Sequence, residues 1–301
     1  MHLLVSFAGG MFGAAIGALP AFILCGFFII IGVVLMVAGA GPDFLLNIGL
    51  GYTFGPHACF GAAVCAHAYA HKKQLAPGRD ITVSLMGLKR PDVLLVGGLF
   101  GMLSAVLAWI FLTQLPFKWN GMHWTDGLAI SITIMAIIAR LMFSESGLFG
   151  KVAEGEKRYK PTEKSALWLP WQMNISENVV IGLTAGLLSS YLALLLGADR
   201  GGAFLGFGIS GFSLVFLQFG AKMPVTHHIS LVAAGAAIAS GSLVWGALFG
   251  IGAAFAAQFW ACTFTIHADT YIDPPAVSIF SMWSVMVALG ALGVYTLIPL
   301  P

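Results

Sequence analysis

The chain has 301 residues, of which 59% are hydrophobic and only 9% are charged, and its formal net charge is +2. A soluble domain usually carries about 25% charged residues, so this composition excludes a soluble globule and predicts an all-α polytopic membrane protein in contact with the lipid bilayer. The small net charge gives no reason to expect a nucleic-acid partner.

Ten apolar stretches predict transmembrane helices, since a spanning helix needs about 20 apolar residues. In chain order they are residues 3–19, 21–40, 53–71, 92–115, 126–143, 177–197, 202–220, 226–241, 243–262 and 276–298. A hydrophilic segment divides them into five and five. We therefore expect a first five-helix repeat over 1–143, a linker over 144–176 and a second five-helix repeat over 177–301.

The most informative stretch is residues 263–283, a polar run that ends in Asp273-Pro274-Pro275, a typical helix start. It resembles an upstream stretch around Asp126. When the two aspartates are aligned, Ala129 falls on Ala276, Ser131 on Ser278 and Ile132 on Ile279. Residues 97–101 likewise resemble residues 246–250, and residues 56–60 can be aligned with residues 227–231. Three anchors in the same order predict that one unit is repeated.

The positive charges predict the orientation of the helices. With five spans in each half, one side of the membrane receives Lys72, Lys73, Arg79, Lys89, Arg90, Arg140, Lys151, Lys157, Arg158, Lys160, Lys164 and Lys222, and the other only Lys118 and Arg200. The positive-inside rule then makes the linker cytoplasmic and leaves both termini outside, in the plasma membrane of a bacterium or archaeon. Because five is odd, the second repeat must be inverted relative to the first.

Seven residues are candidates for substrate binding or ion coupling: Asp126, Asp273, His57, His227, His228, Ser131 and Ser278. The alternative for each aspartate is a plain helix cap at the membrane surface, and for the histidines a place facing the lipid headgroups. The functional interpretation is that the helices begin inside the membrane and direct their positive ends at a central site. Ionisable residues within a membrane are candidate functional residues.

No sequence motif predicts an enzyme or a cofactor. The chain lacks a GxxxxGK[ST] phosphate loop, an HExxH zinc motif and a GxSxG nucleophile elbow. The four cysteines lie in apolar runs, and His67 and His71, although spaced for one helix face, have no third metal ligand nearby in sequence. We expect neither a catalytic residue nor a bound metal.

The leading hypothesis is a secondary transporter of a small polar or anionic solute, with protons as the candidate coupling ion and the site between the repeats near the midplane. The alternative is a channel for a small solute or ion, because inverted repeats and short glycine-rich helices suit a pore as well. A membrane-embedded enzyme and an accessory subunit remain as further classes. Glycines at four-residue spacing predict packing seams, either within the chain or in a homo-oligomer.

Overall fold

The computed structural model of the protein describes residues 1–115, 117–162 and 167–298. Lys164, part of the predicted linker, and residues 299–301 at the end of the predicted second repeat lie outside the described residues. The regular structure of the described residues is helical, with eleven α-helices, apart from one hairpin of two short strands. The all-α prediction is therefore confirmed.

Five α-helices precede the linker, and six follow it. The first five are α1 (His2–Ile16), α2 (Ala18–Val37), α3 (Ala62–Lys72), α4 (Pro91–Trp109) and α5 (Gly127–Phe143). The others are α6 (Ile175–Leu196), α7 (Gly202–Ser213), the single-turn α8 (Val215–Gln218), α9 (His227–Ser240), α10 (Leu243–Trp260) and α11 (Pro274–Ala291). Strands β1 (Lys118–Trp119) and β2 (Met122–His123) pair antiparallel between α4 and α5.

Short π-helical turns extend several of these helices. Pro56–Gly61 leads directly into α3, Ile110–Gln114 continues α4, and Ala261–Thr265 continues α10. A fourth, Leu45–Gly49, lies between α2 and α3. Such turns are rare and often lie near functional sites. Helices α4 and α10 therefore end in the same unusual way.

A helix overlaps each of the ten predicted stretches, but many of the bounds differ, and at two places the backbone shows why. The break between the first two helices is at Gly17, with φ of 101°, and not at Pro20, which lies in the first turn of α2. The N–H groups of the first helical turn have no partner within the helix, so a proline there, which has no N–H, costs no hydrogen bond. The last helix ends at Ala291, seven residues short of the predicted 298, just before Gly293 with φ of 77°.

Five described helices are long and apolar enough to cross a membrane: Ala18–Val37, Pro91–Gln114, Ile175–Leu196, Leu243–Thr265 and Pro274–Ala291. Four more apolar helices are shorter, namely His2–Ile16, Gly127–Phe143, Gly202–Gln218 and His227–Ser240. Large apolar side chains face outward along these helices; Leu99 is 59% exposed, Leu188 63% and Val244 67%. Such an outer surface suits lipid contact.

The same helix pairs pack together in both halves of the chain. α1 packs against α4, and α6 packs against α10. In the first pair Gly10 lies directly against Gly97, and in the second Gly182 lies against Gly250. Small residues at these points let two backbones touch. The glycine seams between α1 and α4 and between α6 and α10 therefore lie within the chain.

The two halves meet through corresponding helices. α2 packs against α7, where Gly26 faces Gly208 and Gly211, and α5 packs against α11. The largest cluster of buried apolar side chains runs across this boundary and includes residues of both halves, such as Phe22, Phe60, Phe207 and Leu231. The described core is thus shared between the halves.

Candidate functional site

The two aspartates that align in the sequence occupy the same position on their helices. Asp126 precedes α5, and its Oδ1 accepts a hydrogen bond from the backbone N–H of Ala129 at 2.7 Å. Asp273 precedes α11, and its Oδ2 accepts one from the N–H of Ala276 at 2.9 Å. Both carboxylates are therefore helix caps.

Both aspartates also line one small cavity, which we call the central cavity. Its volume is about 40 Å³, room for about three water molecules, since one water needs roughly 10–15 Å³. The lining comes from both halves of the chain: Phe22, Leu50, Pro56, Phe60, Asp126, Leu128, Ala129, Ile132, Phe204, Phe207, His227, Leu231, Asp273, Ala276 and Ile279. The central cavity is thus mostly apolar, with two carboxylates and one imidazole.

Two larger cavities adjoin the central cavity. The first, which we call the Tyr52 cavity, has a volume of about 480 Å³ and shares Asp126, Leu128 and Leu231 with the central cavity. The second, which we call the Arg79 cavity, has a volume of about 540 Å³ and shares Asp273 and His227 with it. Each aspartate therefore lies between the central cavity and one of the two larger ones.

Aromatic side chains surround His227 at the narrow centre. The Phe22 ring lies 4.5 Å from the imidazole and the Phe207 ring 5.8 Å from it, between centroids, and Phe60 lies 5.3 Å from Phe22. His227 is only 6% exposed, and its Nδ1 has no hydrogen-bond partner among the described residues. A buried polar atom without a partner is costly, so it marks a place where water or a ligand fits.

Two aromatic side chains lie beside Asp273 on the linker side. Trp168 Nε1 donates to the Tyr271 hydroxyl at 3.0 Å, and both residues line the Arg79 cavity together with Asp273. Arg79 lies in the same cavity and donates to the Ile266 carbonyl at 3.1 Å. Sequence reasoning missed Arg79, Trp168 and Tyr271 as site residues. A signal existed only for Tyr271, because an aromatic residue lies two positions before each aspartate, Trp124 before Asp126 and Tyr271 before Asp273.

The other four predicted site residues are placed differently. His57 lines the Tyr52 cavity, and neither of its ring nitrogens has a partner among the described residues. His228 is fully buried beside Trp168, also without a described partner, and lines none of the three cavities. Ser131 donates to the Gly127 carbonyl and Ser278 to the Ala253 carbonyl, so both hydroxyls are engaged with backbone. The structure therefore brings together Asp126, Asp273 and His227.

Arg140 organises the polar run before Asp273. It is 1% exposed, and its Nε donates to Thr270 Oγ1 at 2.8 Å while its guanidinium also donates to the carbonyls of Leu148, Phe264 and Thr270. These bonds satisfy backbone oxygens that the polar run would otherwise leave buried and unpaired. Sequence reasoning placed Arg140 only as a charge at a helix end.

Asp269 holds the linker onto the same run. Its carboxylate accepts hydrogen bonds from the Ser144 hydroxyl, the Glu145 N–H at 2.9 Å and the Ser146 hydroxyl at 2.9 Å. His71 Nε2 lies 3.6 Å away. Burial alone raises the pKa of Asp269, but the hydrogen bonds and the nearby imidazole outweigh it and lower that pKa to about 2.

Among the described residues, no group of three or more His, Cys, Asp or Glu side chains is arranged to hold a metal ion. The four cysteines are buried and unpaired.

Comparison with known proteins gives a family and no named relative. No curated protein and no solved structure matches the chain. One protein-family model, described as a family of unknown function (DUF7973), matches residues 1–166 and 151–299. Together these segments span nearly the whole sequence. The chain therefore belongs to this family of unknown function, DUF7973.

Proposed function

We propose that the protein is a secondary membrane transporter that moves a small polar or charged solute through the central cavity. The observation that carries this proposal is the position of that cavity, between two larger ones, with one aspartate at each junction. A carrier exposes one central site to each side of the membrane in turn. The small, mostly apolar central cavity corresponds to an occluded state in such a cycle.

The lining of the central cavity supports two inverted repeats. Most of it falls into pairs, one member from each half: Phe22 with Phe207, Pro56 with His227, Phe60 with Leu231, Asp126 with Asp273, Ala129 with Ala276 and Ile132 with Ile279. The matched packing of α1 with α4 and of α6 with α10 agrees with this pairing. With five spanning segments per half, a pseudo-two-fold axis in the membrane plane passes through the central cavity.

The distribution of charge supports a cytoplasmic linker. Lys72, Arg158 and most other cations belong to the side that carries the linker and the Arg79 cavity, which the positive-inside rule assigns to the cytoplasm. The Tyr52 cavity then opens toward the outside. In this arrangement the two larger cavities open to opposite sides of the plasma membrane.

A channel is the second candidate, and one observation favours it. Both larger cavities approach the central cavity in the same structure, so a small widening between Phe22, Phe60 and Phe207 would join them. A channel would conduct whenever that widening occurs, whereas a carrier would never open both sides together.

Flux through proteoliposomes tests the proposal. We would load vesicles with a pH dye and offer labelled neutral, anionic and cationic small solutes, with and without a proton gradient. The variants are Asp126→Asn and Asp273→Asn, because asparagine caps a helix as well as aspartate but carries no charge. The matched control is Asp199→Asn, an exposed aspartate outside the three cavities.

We expect protein-dependent flux of at least one solute class that falls about tenfold or more in each site variant, since a hydrogen bond to a charged group contributes roughly 1.5–3 kcal/mol. The control should match the unmodified protein. Flux that saturates and drives proton movement indicates a carrier, and flux indifferent to the gradient indicates the channel. Absence of flux for every class contradicts both.

A further inference from the structure

The central cavity presents hydrogen-bond acceptors and no positively charged side chain. Asp126 and Asp273 are its acidic residues, and no Lys or Arg is found among the described residues that line it. The Nδ1 of His227 adds an acceptor when the imidazole is neutral and carries its proton on Nε2, and Nδ1 has no described partner. Because the residue is only 6% exposed and lies against the same cavity, that nitrogen is an independent sign of a ligand.

The net electrostatic sign of the site depends on the charge of its two carboxylates. Two helices begin there, and each helix start contributes about +0.5 of a charge, which by itself would favour an anion. With both carboxylates ionised, about +1 from the helix starts meets −2 from the side chains, which leaves roughly −1. The anionic solute expected from helix starts alone is therefore disfavoured, and a monovalent cation would balance the site.

The remaining lining distinguishes between kinds of cation. Among the described residues that line the central cavity, only Asp126 and Asp273 have side-chain oxygens, and one oxygen of each is already bonded to a helix N–H. Alkali cations need a cage of oxygens to replace their hydration shell. Phenylalanine rings, by contrast, attract ammonium groups through the negative face of the ring. Phe22, Phe60, Phe204 and Phe207 contribute to the lining.

We infer that the solute of the central cavity is a small monovalent cation that donates hydrogen bonds, an ammonium or a short primary alkylammonium. Its N–H groups would donate to the free carboxylate oxygens and to His227 Nδ1, and its charge would lie among the phenylalanine rings. The volume of about 40 Å³, room for about three water molecules, admits a cation of this size. This inference rests on the proposed transport function and specifies its substrate class.

The test is uptake of labelled methylammonium into proteoliposomes at slightly alkaline pH, where almost all of the amine is still charged and the buried carboxyls are more fully ionised than in acid. Protein-free vesicles measure leakage of the neutral amine, and labelled acetate and urea are offered in parallel. Unlabelled ammonium, sodium and potassium chlorides serve as competitors. The variants are Asp126→Asn and Asp273→Asn, with Phe207→Leu as a second, uncharged change in the lining and Asp199→Asn as the control.

We expect methylammonium uptake that ammonium inhibits and that sodium and potassium do not. Uptake should fall about tenfold or more in the two asparagine variants, which lose a charged hydrogen-bond acceptor. In Phe207→Leu it should fall about twofold to tenfold, because a cation–π contact is worth roughly 0.5–1 kcal/mol or more. Phe207→Leu also keeps the test informative if an asparagine variant does not fold.

Three results would overturn the inference. Uptake of acetate or urea without methylammonium would leave the transport function standing and refute the substrate class. Equal inhibition by sodium or potassium would indicate an alkali-cation site instead. If the unmodified protein takes up none of the solutes, the proposed function fails, and the inference fails with it.

Discussion

At the scale of single residues, the proposed site depends on two aspartates, each of which caps a helix and lines the central cavity. One oxygen of Asp126 or Asp273 caps a helix, and the carboxylate also faces the central cavity. A helix cap and a binding group are therefore not exclusive alternatives here. Substitution by asparagine separates them, because it preserves the cap and removes the charge.

Asp269 gives a residue-scale prediction about pH. Its folded-state pKa of about 2 lies below the ordinary 3.8, so its contribution to stability is present above pH 3.8 and is lost as the pH falls through about 2. We expect Asp269→Asn to lower the free energy of unfolding at neutral pH by about 1 kcal/mol at most after solvent screening. The thermal unfolding midpoint should fall by a correspondingly small amount. Melting curves in detergent from pH 7 to pH 2 measure this.

The midpoints of the unmodified protein and of Asp269→Asn, compared from pH 7 to pH 2, show whether the charge of Asp269 contributes to stability. The gap between their midpoints should shrink below pH 3.8, since protonated Asp269 no longer accepts the same charge-assisted hydrogen bonds from Ser144 and Ser146. A gap that stays constant down to pH 2 would show that the carboxylate charge does not hold the linker in place.

Sequence reasoning could find only part of the site at this scale. Asp126, Asp273 and His227 stood out because ionisable groups are rare in apolar helices. Arg79 and Trp168 lie in loops far from both aspartates in the chain, and only the tertiary fold brings them to the Arg79 cavity. Ser131 was chosen by its alignment, but its hydroxyl returns to its own helix.

At the scale of helices, glycine seams set how closely the pairs approach. A Cβ on Gly10 would collide with the backbone carbonyl of Gly97, an atom that cannot move aside without shifting α4. We expect Gly10→Ala to destabilise the protein by about 1–3 kcal/mol, the usual cost of overpacking. The readout is the thermal midpoint, followed by size-exclusion profiles in detergent.

The matched control for this helix prediction is Gly87→Ala. Gly87 is exposed, and no atom lies within 4 Å of the position that a Cβ would take there, so alanine should leave the midpoint unchanged. Equal midpoints for Gly10→Ala and the unmodified protein would mean that α1 and α4 do not pack as closely as described.

Helix positions were predictable from apolar runs, whereas helix ends were less so. The apolar run continues through Gly17, where a positive φ ends α1. Composition alone therefore predicts the break between α1 and α2 at Pro20, three residues too late. The π-helical turns after α4 and α10 also have no compositional signal, because their residues are as apolar as those of the helices they continue. Such turns depend on packing with neighbouring helices.

At the scale of the whole molecule, residues from both halves of the chain surround one cavity. The proposed repeat rests on the order of three short sequence matches, each weak alone in a chain with 38 glycines. The structure adds that residues of both halves line the same central cavity. An inverted arrangement predicts that the Tyr52 and Arg79 cavities open to opposite faces of the membrane.

Sided thiol labelling tests this arrangement most directly. Single cysteines would replace Leu46, which lines the Tyr52 cavity, and Thr82, which lines the Arg79 cavity; Glu154→Cys in the linker marks the predicted cytoplasmic side. The four native cysteines are buried, so background labelling is low. A membrane-impermeant maleimide is applied to intact cells and to inside-out vesicles.

We predict that Leu46→Cys reacts in intact cells only, and that Thr82→Cys and Glu154→Cys react in inside-out vesicles only. That result would place a membrane between the two cavities and leave the central cavity as their connection. Labelling of Leu46→Cys and Thr82→Cys from the same side would contradict the inverted repeats and the transport pathway between them.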